Sequence, residues 1–201
     1  MTWAVIYERL EFMNHDFLTR FGKTTEEKRL QMKLTDLFLA QLEREAEGTR
    51  HALERVPEGR NDWRPHEKSM PLGYLAALVA KMPGWVAMTI NTDELVLGSN
   101  GGSDFTPKAL ASKAELLQSL EESVSAARDA LKNTNDEHLL KPWRFIAGGH
   151  VVSEDPRYVV LTDAVFSHLA HHRGQLTVYL RLNQASVPAI YGPSADERKS
   201  A

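Results

Sequence analysis

The sequence predicts an all-α fold, a four-helix bundle preceded by an N-terminal extension. Three observations point there. Apolar residues recur at spacings of three and four over four long stretches. Proline and capping residues stand where such stretches begin and end, and polar or glycine-rich connections separate them. Strand signals are weak, since the β-prone run Tyr158-Val159-Val160-Leu161 is short and lies inside a helical pattern.

The first helix is expected from about Leu34 to Val56, with Leu34, Leu37, Phe38, Leu42, Ala46, Thr49 and Leu53 along one face. Pro57 and Gly59 end it, and Asn61 to Lys68 form a polar loop. A second helix opens around Pro71, which suits a first turn. Leu72, Leu75, Leu78, Val79 and Met82 share its side, and Pro83-Gly84 should kink it before the chain resumes through Trp85, Val86 and Ile90. Gly98 to Ser103 reads as a linker. Ser112 and Glu115 form a capping box that starts the third helix, through Leu117, Leu120, Val124, Ala127 and Leu131. Asn133 to Asp155, with Trp143, Phe145 and Gly148-Gly149, reads as a loop. The fourth helix follows from the Asp155-Pro156 cap to about Asn183.

At 201 residues the chain can bury a sizeable core, and its 42% hydrophobic and 25% charged content is that of a globular protein. A net charge of −3 argues against nucleic acid as a partner. No apolar run approaches the roughly 18 residues of a membrane span, so no membrane partner is expected, and the cytoplasm is the default compartment. With no cysteine, there is no disulfide, thiolate ligand or cysteine nucleophile. Residues 1–31 carry a partly helical pattern, Trp3, Val5, Ile6, Leu10, Met13, Phe17, Leu18 and Phe21. They are either an added helix or the product of an upstream start ahead of Met32, leaving 32–201 as the bundle domain.

The chemistry concentrates in the fourth helix. His168 and His172 stand four residues apart, on one helical face, a spacing that can present two imidazoles to one divalent cation. His171 is rotated off that face. Two histidines on a helix also commonly just pack or hydrogen-bond, and Arg173 reads as a salt-bridge or packing residue. Trp63, Trp85 and Trp143 read as core or cleft-wall aromatics. Glu43, Glu45 and Glu47 read as a solvated face, and Tyr191-Gly192-Pro193 as a turn packing the tail onto the helices.

Several of these blocks together resemble one family. They are His168-Leu169-Ala170-His171-His172-Arg173-Gly174-Gln175-Leu176, Val187 to Glu197, Asp62 to Met70, and Met82-Pro83-Gly84-Trp85. In this order they are similar to the DinB family of DinB/YfiT-like metalloenzymes, over about Met32 to Glu197. The resemblance implies a four-helix bundle, often a homodimer. It also implies a divalent metal, nickel or zinc, held by three histidines with open positions for water or substrate. Two of them fall on His168 and His172. The third, seven residues before the tryptophan of the Pro-Gly-Trp block, falls on Leu78, which cannot ligate a metal. The implied site is therefore degenerate. His66, His150 and Asp163 are the candidates for a substitute third ligand.

Relatives implied by the resemblance are thiol-dependent S-transferases and an isomerase, for which this cysteine-free chain would need a thiol co-substrate from solution. The competing expectation is a non-catalytic, dimeric, stress-associated or small-ligand-binding protein that has lost its metal. An apolar Leu78 in the cleft favours an apolar ligand over a hydrated cation.

Overall fold

The computed structural model describes residues 32–98 and 108–197. The expectations for residues 1–31 and for most of the Gly98–Ser103 linker lie outside the described residues. Helix α1 is Leu34–Leu53, α2 is Leu72–Lys81, and a 3₁₀ turn over Met82–Gly84 leads into α3, Trp85–Asn91. Strand β1 (Glu94–Leu97) follows, then α4 (Lys113–Lys132) and the short α5 (Asp136–Leu139). Strands β2 (Pro142–Ala147) and β3 (His150–Pro156) precede a last rod made of α6 (Arg157–Val160), a π-helical segment (Leu161–Ser167) and α7 (His168–Leu182).

The all-α expectation is overturned. The fold is mixed α/β, with a three-stranded sheet in the order β1-β2-β3, and a four-helix bundle is not what the structure shows. The segment expected to be a loop is a hairpin. Trp143 and Phe145 share one face of β2 with Arg144 between them, and Gly148-Gly149 turns the chain at φ of 58° and 79°, the left-handed backbone that two-residue hairpin turns require. The β1 strand then pairs in parallel with β2, Glu94 opposite Arg144. Asp155 consequently belongs to β3 rather than capping the last helix, which starts at Arg157 without a side-chain cap.

The helices form where periodicity and caps put them. The α4 amide of Glu115 donates to Ser112 Oγ at 3.2 Å, and the Glu115 carboxylate reaches back to the Ala111 amide at 2.9 Å. The start of α1 is capped from a distance, because the amides of Leu34 and Thr35 donate to the Asp136 carboxylate of α5 at 3.0 and 3.2 Å. Phe38, Leu42 and Leu53 of α1 bury against Leu72 and Leu75 of α2, Leu120 and Leu131 of α4, and Leu169 and Leu176 of α7. Leu37, expected on that face, is 41% exposed. The run Leu72–Asn91 is long and apolar enough to cross a membrane by length and composition, contrary to the sequence expectation. Two thirds of it is buried within the protein, which is how a core helix passes the same test.

Two buried arginines tie the periphery to the helices. Arg157, 1% exposed, donates Nε–H to the Thr89 carbonyl at 3.0 Å, and Nη1 to those of Lys141 and Pro142. Its Nη2 donates to the Thr92 carbonyl and to Asp93. All five N–H groups are thereby used, and the entries of the chain into β1 and β2, at one end of the sheet, are held to one guanidinium. Arg173 pairs with Glu45 of α1 at 2.5 Å, both buried, and also donates to Thr49 Oγ1 at 2.9 Å. Glu45 is therefore not part of a solvated face. The Tyr191 hydroxyl closes this cluster by bonding to both Glu45 and Arg173. Ile190 packs onto Gly48 so closely that a β-carbon there would lie 2.8 Å from its side chain. The tail turn does pack onto the helices.

Candidate functional site

A cavity of about 830 Å³ lies between the sheet and the helices. Its roof is one face of the sheet. Leu95 and Leu97 of β1, Trp143 and Phe145 of β2, and Ser153 and Asp155 of β3 all line it, as the alternation of strand side chains demands. The floor comes from α2 and α3, through Tyr74, Leu78, Trp85, Met88 and Thr89. The far wall comes from the last rod, through Val159, Asp163, Ala164, His168 and His172. Apolar groups dominate the lining, as they do in small-molecule sites.

The π-helical segment decides which groups of the last rod face the cavity. On an α-helix, residues five apart diverge by about 140°. In the wider i→i+5 pattern each residue turns less, which narrows that divergence, and Asp163 and His168 both line the cavity. The π segment runs directly into the histidines and supplies the wall beside them, a placement often found at functional sites.

His168 and His172 are the polar centre of the site. Their Nε2 atoms lie 2.8 Å apart, and their rings are 4.5 Å apart between centroids. Gln175 donates its amide N–H to His171 Nε2 at 3.1 Å, leaving its carbonyl to accept Nδ1–H from His172 at 2.9 Å. The 2.8 Å contact between the two Nε2 atoms is a hydrogen bond that takes one proton, carried by either ring. Trp85 covers His168 at 5.8 Å between ring centroids. His171, on the exposed side of α7, does not line the cavity.

Burial is the main influence on both rings, and it pushes each below the ordinary imidazole value of 6.5. A hydrogen bond to the Ala164 backbone opposes this at His168, and the Gln175 bond opposes it at His172. Neighbouring imidazoles lower both further. A histidine whose folded pKa is depressed stabilises the native state above the unfolded value, and that contribution is lost as pH falls through the folded value. We expect a His168→Asn/His172→Asn double variant to be less stable than the parent at pH 7.5. The gap in urea midpoint should narrow steadily on acidification below about 6.5. A gap that widens toward pH 5 would contradict the neutral pair.

The geometry does not fit the three-ligand metal centre that the resemblance implies. Two imidazole nitrogens on one tetrahedral zinc stand about 3.3 Å apart, whereas the observed contact is a hydrogen bond. Among the described residues no group of three metal-ligating side chains comes together. Leu78, 7% exposed, lines the cavity together with both histidines. Asp163 lines it without completing such a group. His66 is turned to its own loop, where Nδ1 accepts from the Lys68 amide at 3.1 Å, and His150 is exposed at the start of β3. Neither lines the cavity. Among the described tryptophans, Trp85 and Trp143 are cavity walls, while Trp63 packs edge-on against Tyr179 at 5.4 Å.

Thr89 was not singled out by sequence reasoning. It is fully buried on the cavity floor, and its hydroxyl has no hydrogen-bond partner among the described residues. An orphaned buried hydroxyl costs about 1–3 kcal/mol. The isosteric Thr89→Val should therefore raise stability by about 1 kcal/mol, measured as a higher urea midpoint at unchanged slope. A loss of stability would mean that the hydroxyl has a partner in solution.

Comparison with known proteins bears on the fold. No protein-family model matches the chain, and no curated protein does. Among solved structures, a DinB-like protein from Bacillus cereus is 21% identical with a TM-score of 0.59, over 77% of this chain and 95% of that one. A DinB-like protein from Bacillus subtilis is 16% identical with a TM-score of 0.55, over 77% and 98%. The chain shares the fold of these DinB-like proteins, which is where its sequence blocks pointed.

Proposed function

We propose that this chain is a DinB-fold protein that binds a small, largely apolar molecule in the cavity under its sheet, with the His168–His172 pair as a polar contact. One observation carries the reading, namely a cavity of about 830 Å³ whose walls are mostly apolar and aromatic. That volume matches small-molecule sites, which run to roughly 300–1,000 Å³ with few polar groups. A metal-dependent thiol transfer or isomerisation would need a third ligand, and Leu78 occupies the wall beside the histidines instead. The pair is the group available to exchange a proton with whatever binds.

The probe that tests this is 1-naphthalenemethanol, neutral and compact, titrated by isothermal calorimetry. Saturable one-to-one binding is expected. It should be abolished by Ser153→Trp, which fills the cavity from the roof where a strand accepts an aromatic side chain. Absence of saturable binding, or binding that survives Ser153→Trp unchanged, would overturn the reading.

A further inference from the structure

We infer that the ligand of this cavity carries a positive charge, as a protonated amine on an apolar or aromatic body. The inference rests on the binding reading above and goes further by assigning charge. Among the described residues, two carboxylates line the cavity, Asp155 from the roof and Asp163 from the π segment, and no lysine or arginine does. Arg157, which binds the Thr89 carbonyl, has all five N–H groups engaged by backbone carbonyls and Asp93. It offers no donor to a ligand. An anion entering the site would meet two like charges and no counter-charge.

The aromatic walls add to the same preference. Tyr74, Trp85, Trp143 and Phe145 line the space between the carboxylates and the histidines. Ring faces attract a cation, most strongly where water is displaced, and tryptophan does so best. Thr89 supplies a second polar feature, a buried hydroxyl without a partner on the same cavity. A hydroxyl can accept from an ammonium N–H, so a small rotation on ligand entry would satisfy it. Aromatic rings, two carboxylates and an orphaned acceptor together describe a pocket for an apolar ammonium ion.

Three probes of nearly one shape separate charge from fit. They are 1-naphthylmethylamine, 1-naphthalenemethanol and 1-naphthoate, each titrated by calorimetry at pH 7. The amine is expected to bind about ten-fold more tightly than the alcohol, and the carboxylate more weakly than both. In an Asp155→Asn/Asp163→Asn variant the amine should lose most of that advantage, ending within about two-fold of the alcohol. Alcohol affinity should change much less than the amine's, and an unaltered circular-dichroism spectrum reports that the variant is folded. If the alcohol binds and the amine binds no better, or the carboxylate binds best, the charge assignment fails while the binding reading stands. An amine preference that survives both substitutions also refutes it. If none of the three binds, both fail.

Discussion

Leu78→His should convert this protein into a metal binder, gaining about 5–10 °C in melting temperature with nickel or zinc at a hundred times the dissociation constant. The expectation follows from the wall the three side chains share. Leu78 of α2 faces the same cavity as His168 and His172 of the last rod, so an imidazole there would make a third donor, with a fourth position open to the cavity. A histidine at this site needs little change in backbone, because leucine and histidine differ in helix propensity by only a few tenths of a kcal/mol. The apoprotein should be about 1–3 kcal/mol less stable than the parent, since Leu78 is 7% exposed and its apolar burial is lost. Bound metal stabilises by about 2.7 kcal/mol at the stated excess, enough to offset most of that loss. Binding would also separate the two Nε2 atoms from their 2.8 Å hydrogen bond, so the metal must displace the shared proton. Affinity should consequently weaken on acidification. The parent should shift far less under the same titration. A parent that already takes up one equivalent of metal tightly, purified without a histidine tag, would sink the argument and point to Asp163, the other ligand type beside the pair.

How much of this was legible in the sequence depends on the range of the interactions involved. The capping box at Ser112 and Glu115 is a local device, and the helix it announces starts where expected. The Pro83-Gly84 break is also local, and it appears as the 3₁₀ turn between α2 and α3. The sheet was partly legible and missed. Trp143 and Phe145 alternate ahead of Gly148-Gly149, which is a hairpin signal, but the strands are short and the segment was long enough to pass for a loop. The β1–β2 pairing joins residues fifty apart, and nothing in the four residues Glu94–Leu97 announces it. Glu45 looked solvated because its partner, Arg173, lies 128 residues away in the chain. The π segment leaves no mark in composition, since it changes which carbonyl each amide finds and not which residues are present. At the site, the spacing of His168 and His172 was enough to bring them together. The roof, the second carboxylate and the orphaned Thr89 hydroxyl required tertiary structure.

Arg157→Met should cost about 3–5 kcal/mol, the largest loss expected from any single change outside the apolar core. The stem of methionine fills much of the same space, so the effect isolates the guanidinium. Four backbone carbonyls, of Thr89, Thr92, Lys141 and Pro142, would lose a charged donor, at junctions where the chain leaves α3 and enters β2. A buried acceptor left unsatisfied costs about 1–3 kcal/mol, and some of the four will find water once the guanidinium is gone. The ion pair itself contributes little, because Asp93 is 90% exposed. Asp93→Asn should accordingly change stability by less than about 1 kcal/mol, which separates the carbonyl clamp from the salt bridge. The second consequence is local. With the clamp gone, the sheet is no longer fastened to α3, so amide exchange should accelerate across residues 142–156 well before α1 and α4 lose protection. Because this sheet roofs the cavity, binding of 1-naphthalenemethanol should weaken in Arg157→Met and remain intact in Asp93→Asn. If Arg157→Met is no more costly than Asp93→Asn, or exchange rises equally in every element, the guanidinium is not what holds the roof in place.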